Sequence, residues 1–539
     1  MVAFAPLKGR LGIAIVGYHQ GMKDKRKSPA ALSRQCRKAM ANANHYAEWR
    51  EAASELDTLE RNDAWKNEPR SRSYDWRLIH SRYWKVRRMF EAGDVAGLVY
   101  ELRQGLHWNL GNLGSPYLYG RAHFGTKRLI DDYIDTVARA LDFICDSDEG
   151  VLPHAERLRF FKQTAQSYGR SALMLSGGAT LGLFHVGVVK ALYREGLMPD
   201  VISGSSAGSV VAATVGTRAP TEMEELLTPE AAYYHFWRRL GLRQVIAHGV
   251  LMDQTQLREA VERNVRDLSF EEAHRLSGMS INITVSAAGR NQKPRLLNHL
   301  TFPHLLMREA VMASCAVPWL FEPVMLCTRD ENGERTPYSP LQRWSDGSLQ
   351  SDLPALRVRR LFNVNHHIVS QTNPHVLPFM TRRPPHRDGS ASPVAALRNF
   401  AGASLRLEAQ QLLRLGGGSL PTRALRTLLD KSAVIIGQKY HGNITVLPDL
   451  SIWRYANVTS NPNMKSVRRF ILEGERATWP HIEAVRTQTR LARTMSRCIE
   501  RLEGRHGTLA AGTPELRVVR RARDRNDDRR ADGHTGSGA

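Results

Sequence analysis

Apolar residues recur at helical spacing in the first third of the chain. Leu129, Tyr133, Val137 and Ala140 lie three or four positions apart, which is typical of a helix with one apolar face. Residues 30–166 contain few strand-like runs, and five of the ten tryptophans lie there. Large aromatic side chains of this kind usually pack into a core. We therefore predict a helical N-terminal domain over residues 30–167.

The pattern changes at residue 172 to short, continuous apolar runs. Helical stretches separate these runs, which lie at residues 172–175, 201–203, 281–285 and 364–369. Strands that alternate with helices are typical of an α/β layered domain. The predicted fold class is therefore α/β, with a mostly parallel central sheet flanked by helices over residues 168–365. The N-terminal helical domain and a set of C-terminal helices complete the prediction.

The C-terminal third is interrupted by Pro/Arg-rich and Gly-rich sequence. Residues 394–415 have helical periodicity, with arginines beside an apolar face that either packs into a core or lies on a membrane. Pro480 opens a last amphipathic helix. We expect a helical extension over residues 366–503 and a disordered, Arg-rich tail over residues 504–539.

The net charge bears on the partners of the protein. The chain has 76 Lys and Arg against 53 Asp and Glu, a formal net charge of +23, and residues 1–29 form a basic segment. Such an excess favours nucleic acid or an anionic membrane surface as a partner. The sequence carries no helix-turn-helix, RNA-recognition or zinc signature, so we expect no nucleic-acid partner.

Cysteine usage and hydropathy bear on the compartment. The five cysteines are scattered and form no CxxC pair, which predicts a reducing, cytoplasmic environment without disulfides or a bound metal. Residues 171–189 carry no charged residue over nearly a membrane-spanning length, but they include four glycines. We interpret them as a strand, a glycine turn and a helix rather than as a transmembrane segment.

The candidate nucleophile is Ser206. It stands in a GxSxG pentapeptide between Gly204 and Gly208, after a strand-like run and before a helix-like run. A nucleophile elbow requires that order, because the glycines allow the sharp turn that presents the serine above the sheet. The pentapeptide alone is frequent by chance, so its strand–turn–helix context is what makes it informative.

A second glycine turn, formed by Gly177, Gly178 and Ala179, precedes the elbow. It follows the run at 172–175 and opens a helix, so its backbone N–H groups are expected to bind an anion. Phosphate is a poor candidate, because the sequence has neither a P-loop nor a GxGxxG pattern here. A tetrahedral oxyanion fits better, although a turn without chemistry also fits the glycines. His185, just inside the helix, is expected to pack.

The serine needs a base within hydrogen-bond reach. Among the histidines that follow it in the order of a Ser-Asp-His triad are His366, His367, His375 and His441, and none of these stands in a distinctive setting. Asp346, which is followed by Gly-Ser after an aromatic segment, is the more distinctive candidate, although Asp-Gly is also a common turn dipeptide. The same tripeptide recurs at Asp388, within the Pro/Arg-rich stretch, and ranks below Asp346.

Taken together, these motifs resemble the patatin-like phospholipase family over residues 172–364. Residues 313–318, with the sequence Ala-Ser-Cys-Ala-Val-Pro, are also similar to the family's stretch between serine and aspartate. The resemblance implies a dyad of Ser206 and Asp346 without histidine. It also implies that the backbone of the Gly177, Gly178 and Ala179 turn forms the oxyanion hole.

One subgroup of the family fits better than the plant storage proteins. The Trp-rich helical domain and residues 363–366 and 370–375 resemble fungal and plant storage-triacylglycerol lipases. This resemblance implies an intracellular acyl-ester hydrolase of triacylglycerol or phospholipid, without a cofactor, acting peripherally at a membrane or lipid-droplet surface in lipid catabolism. The alternative is a catalytically inactive protein of the same fold that binds or scaffolds a lipid surface. The preferred lipid and the oligomeric state are left open.

Overall fold

The computed structural model describes residues 28–288, 293–348, 352–374, 376–377, 380, 442–449 and 458–510. The N-terminal part of these residues is helical. Its helices are α1 (Pro29–Asn42), α2 (Tyr46–Leu59), α3 (Asn62–Asn67), α4 (Trp76–Glu91), α5 (Val95–Gly105), α6 (Pro116–Gly120), α7 (Arg128–Cys145) and α8 (His154–Tyr168). A helical N-terminal domain was predicted for this region.

Strands and helices alternate after α8. The strands are β1 (Arg170–Leu175), β2 (Val201–Gly204), β3 (Ser280–Ala287), β4 (Arg295–Leu297), β5 (Cys327–Arg329), β6 (Arg335–Pro337), β7 (Trp344–Asp346), β8 (Val364–Ser370) and β9 (Ile444–Val446). The helices are α9 (Leu183–Arg194), α10 (Ala207–Gly216), α11 (Met223–Leu226), α12 (Leu242–His248), α13 (Gln254–Asn264), α14 (Phe270–Ser277), α15 (Met307–Cys315), α16 (Ala355–Phe362), α17 (Met464–Thr478) and α18 (Ile482–Ala510).

The central sheet is mixed and mostly parallel. Its order is β4-β3-β2-β1-β8-β9, and β7 also pairs with β3. The pairs β1–β2, β1–β8, β2–β3 and β8–β9 are parallel, whereas β4 and β7 run antiparallel to β3. The predicted α/β fold class is therefore confirmed. In such a sheet the carboxyl ends of neighbouring strands meet at one edge, where ligand sites form.

The helical domain packs around α7. The apolar stripe read from the sequence is buried there, since Leu129, Tyr133, Val137 and Ala140 all lie in the core. Side chains from α4, α5 and α8 complete this core, and α18 adds Leu491, Met495, Cys498 and Leu502 to it. The helical domain is thus built from two separated parts of the chain.

The range 366–503, expected as a helical extension, also contributes to the sheet. Strand β8 crosses residue 365, and β9 pairs with it in parallel through Ile368 and Ile444. Helix α18 continues to Ala510, which is seven residues into the expected disordered tail. Extension of a formed helix costs little, because each added residue gains a backbone hydrogen bond.

Several expectations lie outside the described residues. They concern the basic segment before residue 28, the helix predicted over 394–415, and the tail beyond residue 510. Among the helices that the structure does describe, none is long and apolar enough to cross a membrane. Residues 171–189 instead form β1, the glycine turn and the first half of α9, as interpreted from the sequence.

Candidate active site

Ser206 occupies the sharp turn between β2 and α10. Its backbone has φ 49° and ψ −121°, a conformation that is strained for a residue with a side chain. The two flanking glycines make this turn possible. A β carbon on Gly204 would lie 2.3 Å from the carbonyl oxygen of Gly208, and one on Gly208 would lie 2.3 Å from that of Leu175. This arrangement is the geometry of a nucleophile elbow.

The stretch at 313–318 supports the elbow from behind. The backbone N–H of Ser206 donates to the Ser314 hydroxyl at 3.0 Å, and that hydroxyl donates to the Thr284 carbonyl at 2.8 Å. The carbonyl of Ala316 accepts the backbone N–H of Asp346 at 2.9 Å. One segment therefore contacts both members of the predicted dyad and fixes their separation.

Asp346 lies at the end of β7 with its side chain directed to Ser206. The Ser206 hydroxyl lies close to this carboxylate and favours its charged form, and the backbone N–H of Ser348 donates to Asp346 Oδ1 at 2.7 Å. The carboxyl is almost fully buried, and loss of solvent raises its pKa to about 6. A base with that pKa is far better matched to neutral pH than an exposed aspartate.

The structure places the described candidate histidines elsewhere. His366 Nδ1 lies 3.0 Å from the hydroxyl of Ser171, at the start of β1, and its ring packs against Trp108. His367 is its neighbour in β8. Ser206 instead adjoins the opposite end of β1, where Ser205 N–H donates to the Leu175 carbonyl. His375, His441 and the alternative Asp388 lie outside the described residues.

The glycine turn ends β1 directly beside Ser206. The Gly177 N–H donates to Asp352 Oδ1 at 2.8 Å, so this predicted oxyanion donor is already bound by the protein. Among the described residues, the N–H groups of Gly178 and Ala179 have no acceptor, and neither has that of Ala207 at the start of α10. Backbone donors of this kind are suited to an oxyanion. The sequence reading did not include Ala207.

Asp352 is a second residue at the site that the sequence analysis did not identify. It is buried, with Gly177 on one carboxylate oxygen and the side-chain amide of Asn373 3.3 Å from the other. Burial and the nearby charge of Asp346 raise its pKa to about 7. Its carbonyl also accepts the Ser205 hydroxyl at 2.7 Å. The residue thus holds both the glycine turn and the elbow.

His185 completes the support beneath the turn. Its Nε2 donates to the Ser176 carbonyl at 3.0 Å, and its Nδ1 accepts from the Ser370 hydroxyl at 2.7 Å. We assign the proton to Nε2, because a carbonyl can only accept. Complete burial lowers the pKa of the ring to about 4, so it is neutral at physiological pH. The sequence analysis expected this histidine to pack rather than to act as a base.

A cavity of about 330 Å³ opens from the dyad. One wall is a stripe of α10 at helical spacing, formed by Ala207, Val210, Val211, Thr214 and Val215. The facing wall is also largely apolar and includes Leu226, Leu227, Trp237, Leu320 and Phe321. The polar groups are concentrated at one end, around Ser206, Asp346 and the glycine turn. An apolar chamber with polar groups at one end suits a long hydrocarbon chain attached to a polar group.

The fold and the site define an α/β protein with a nucleophile elbow. Comparison with known proteins gives the family: residues 173–358 match the patatin-like phospholipase family, and residues 28–166 match a domain of unknown function, DUF3336. The chain belongs to the patatin-like phospholipase family, as the sequence motifs predicted. The two matched segments correspond to the α/β and helical domains.

Individual relatives support the same assignment. Triacylglycerol lipase ptl3 of Schizosaccharomyces pombe is 32% identical over 464 residues, which cover 83% of this chain and 93% of the relative. Triacylglycerol lipase SDP1L of Arabidopsis thaliana and triacylglycerol lipase 4 of Saccharomyces cerevisiae are each 33% identical, over 86% of this chain. The chain spans 58% and 53% of those two longer proteins. The predicted resemblance to fungal and plant triacylglycerol lipases is confirmed.

Proposed function

We propose that the protein hydrolyses acyl esters of lipids, triacylglycerol or phospholipid, through an acyl-enzyme formed on Ser206. The observation that carries the proposal is the position of Ser206, on its sharp turn, beside the buried Asp346 at the polar end of an apolar cavity. Relatives that carry both matched domains are named triacylglycerol lipases, which supports this substrate class. We further propose that it works in the cytoplasm, peripherally on a lipid surface and without a cofactor or nucleic acid.

The first step forms the acyl-enzyme. Asp346 takes the proton of the Ser206 hydroxyl as its oxygen attacks the ester carbonyl carbon. The N–H groups of Gly178, Ala179 and Ala207 stabilise the oxyanion of the tetrahedral intermediate, and each such donor is worth about 3 kcal/mol in the transition state. The carbon–oxygen bond to the alcohol then breaks, and the proton held by Asp346 passes to the leaving oxygen.

The second step releases the fatty acid. Asp346 takes a proton from water, which attacks the acyl carbon, and Ser206 leaves with that proton. The positive potential at the N-terminus of α10 favours the negative charge that develops in both steps. The acyl chain lies along the Val210, Val211 and Thr214 stripe throughout, so the ester carbon stays at the dyad.

The test is fatty-acid release by purified variants. Ser206→Ala and Asp346→Asn should each lose nearly all hydrolysis of triolein and of phosphatidylcholine. Asp388→Asn, which changes the other Asp-Gly-Ser tripeptide, is the matched control and should keep wild-type activity. Normal turnover in either dyad variant would remove that residue from the mechanism. A folded wild-type protein that neither turns over lipid nor reacts with a fluorophosphonate at Ser206 would instead be a lipid-binding scaffold.

A further inference from the structure

Four large apolar side chains are exposed on α12 and on two neighbouring segments, which are joined by backbone hydrogen bonds to residues of the cavity wall. We call Leu242, Ile246, Leu251 and Trp319 the apolar rim; their exposed fractions are 77%, 77%, 49% and 52%. Leu242 and Ile246 stand four residues apart on α12 and therefore share one face of that helix. Exposed apolar side chains that cluster in this way mark a surface that contacts something other than water.

Backbone hydrogen bonds connect the rim to the cavity wall. The N–H of Leu251 donates to the Trp319 carbonyl at 3.1 Å, and the N–H of Met252 donates to the Leu320 carbonyl at 3.0 Å. Leu320 and Phe321, which follow Trp319 directly, line the cavity. Leu251 and Trp319 of the rim are therefore fixed directly beside the segment that lines the chamber.

A second connection runs through Trp237. Its indole N–H donates to the Thr180 hydroxyl at 3.0 Å, beside the glycine turn, and its ring packs against Phe321 with 5.9 Å between centroids. The chain continues from Trp237 into α12. At the other end of that helix, His248 Nδ1 lies 3.1 Å from Glu322 Oε1. Contacts before the start of α12 and at its end therefore connect this helix to the segments around the cavity.

The charge beside the rim indicates what it contacts. Arg239 and Arg243 are exposed, and neither forms an ion pair among the described residues, whereas their neighbour Arg238 pairs with Asp253. Unpaired guanidinium groups next to large apolar side chains complement a surface with anionic groups above a hydrocarbon layer. A phospholipid surface has that composition.

We propose that the apolar rim docks the protein on a phospholipid surface that contains acidic headgroups. Leu242 and Ile246 enter the acyl region, and Arg239 and Arg243 contact the headgroup phosphates. A lipid ester then passes from that surface into the cavity without crossing water. This last consequence rests on the proposed function, whereas the docking itself does not depend on catalysis.

The experiment measures binding of the full chain to vesicles in a Ser206→Ala background, so that turnover plays no part. The vesicles contain phosphatidylcholine with about 30% phosphatidylserine. The double variant Leu242→Ser, Ile246→Ser should bind at least tenfold more weakly in flotation. The double variant Arg239→Gln, Arg243→Gln should also bind more weakly, and its binding should depend less steeply on salt.

The matched control is Val151→Ser, Leu356→Ser, which removes two apolar side chains of similar exposure, 61% and 60%, far from the rim in sequence. It should bind like the parent. Thermal unfolding checks that all variants are folded.

Equal binding by the rim variant and the control would overturn the proposal. So would a concentration-dependent dimer that the rim variant abolishes, because a second copy would then cover this face. If the protein that retains Ser206 binds vesicles but hydrolyses no lipid, the result counts against the catalytic proposal alone.

Discussion

At the residue scale, the proposed mechanism requires the buried carboxyl of Asp346 to be ionised before it can act as a base. Burial raises its pKa to about 6, because the carboxylate loses its hydration. Below that pH the carboxyl holds its own proton and cannot accept that of Ser206. The same burial that excludes water from the site therefore sets an acid limit on the reaction.

We expect kcat/KM for a soluble short-chain ester to rise with pH through about 6 and then to level off. The direction follows from the sign of the shift: a raised pKa keeps the inactive, protonated form to higher pH than in an exposed aspartate. Initial rates from acid to neutral pH would measure it, with an unfolding check at each pH. A profile with its midpoint near the pKa of about 4 of a solvated carboxyl would contradict the assignment.

In the proposed mechanism, Asp352 affects the reaction through the glycine turn. Asp352→Ala leaves the Gly177 N–H without its buried acceptor, so the turn is free to shift the donors at Gly178 and Ala179. We expect kcat to fall about 100-fold, with KM little changed because the apolar cavity is untouched. Asp352→Asn keeps an oxygen acceptor and should recover most of the loss. Equal kcat values in wild type and both variants would show that the turn needs no such support.

The contrast between Ser206 and Asp352 shows what a sequence reveals at this scale. The serine carries its signature within five consecutive residues, because the elbow is a local turn. The hydrogen bond from Gly177 to Asp352 joins residues 175 positions apart, and no spacing rule predicts it. The prediction that the Gly177 N–H binds the oxyanion has the same cause. The sequence shows the glycine turn, but not the Asp352 carboxylate that accepts this N–H.

At the element scale, two glycines bring α17 against α9, the helix that follows the glycine turn. A β carbon on Gly474 would lie 2.1 Å from the Phe184 carbonyl oxygen, and one on Gly187 would lie 1.9 Å from that of Ile471. The two backbones are thus in direct contact, and no side chain can rotate out of the way. Helix α17 thereby fixes α9 beneath the active-site turn.

We expect Gly474→Ala to lower the free energy of unfolding by about 3 kcal/mol, because the new methyl group forces the helices apart. Urea denaturation followed by circular dichroism would measure it. Gly504→Ala is the matched control in helix α18, where a β carbon meets nothing within 4 Å, and helix propensity predicts a gain of about 1 kcal/mol. Equal stability of the two variants would mean that the helices separate without cost.

The elements themselves were predictable where periodicity is strong. The stripe of α7 buries the face that the sequence displays, and the continuous apolar run of β1 is buried on both faces of the sheet. Strands β4, β7 and β9 have only three residues each, too few for any period to be read, and their pairing depends on partners remote in the chain. The antiparallel part of the sheet therefore could not be derived, although Asp346 lies at the end of one of its strands.

At the scale of the whole molecule, α18 joins the two cores. Ile482 and Val485 at its start lie in the core of the α/β domain, whereas Met495 and Leu502 lie in that of the helical domain. Its arginines add ion pairs to α7, such as that of Arg490 with Asp135. The sequence showed one apolar face along this helix, but not that the face is divided between two domains.

A break in the middle of α18 should uncouple those domains. Thr489, buried between the two sets of apolar residues, is the position to change. Thr489→Pro removes a helical hydrogen bond and clashes with the preceding turn, at a cost of about 3 kcal/mol. We expect calorimetry to resolve a transition at lower temperature for the helical domain, with Ser206 still labelled by a fluorophosphonate above that temperature.

Thr489→Ala loses the hydroxyl but keeps the helix, so it should unfold like the wild type. If the proline variant instead loses labelling and both domains in a single lowered transition, the two cores fold as one cooperative unit, and α18 is part of that unit rather than a link between two.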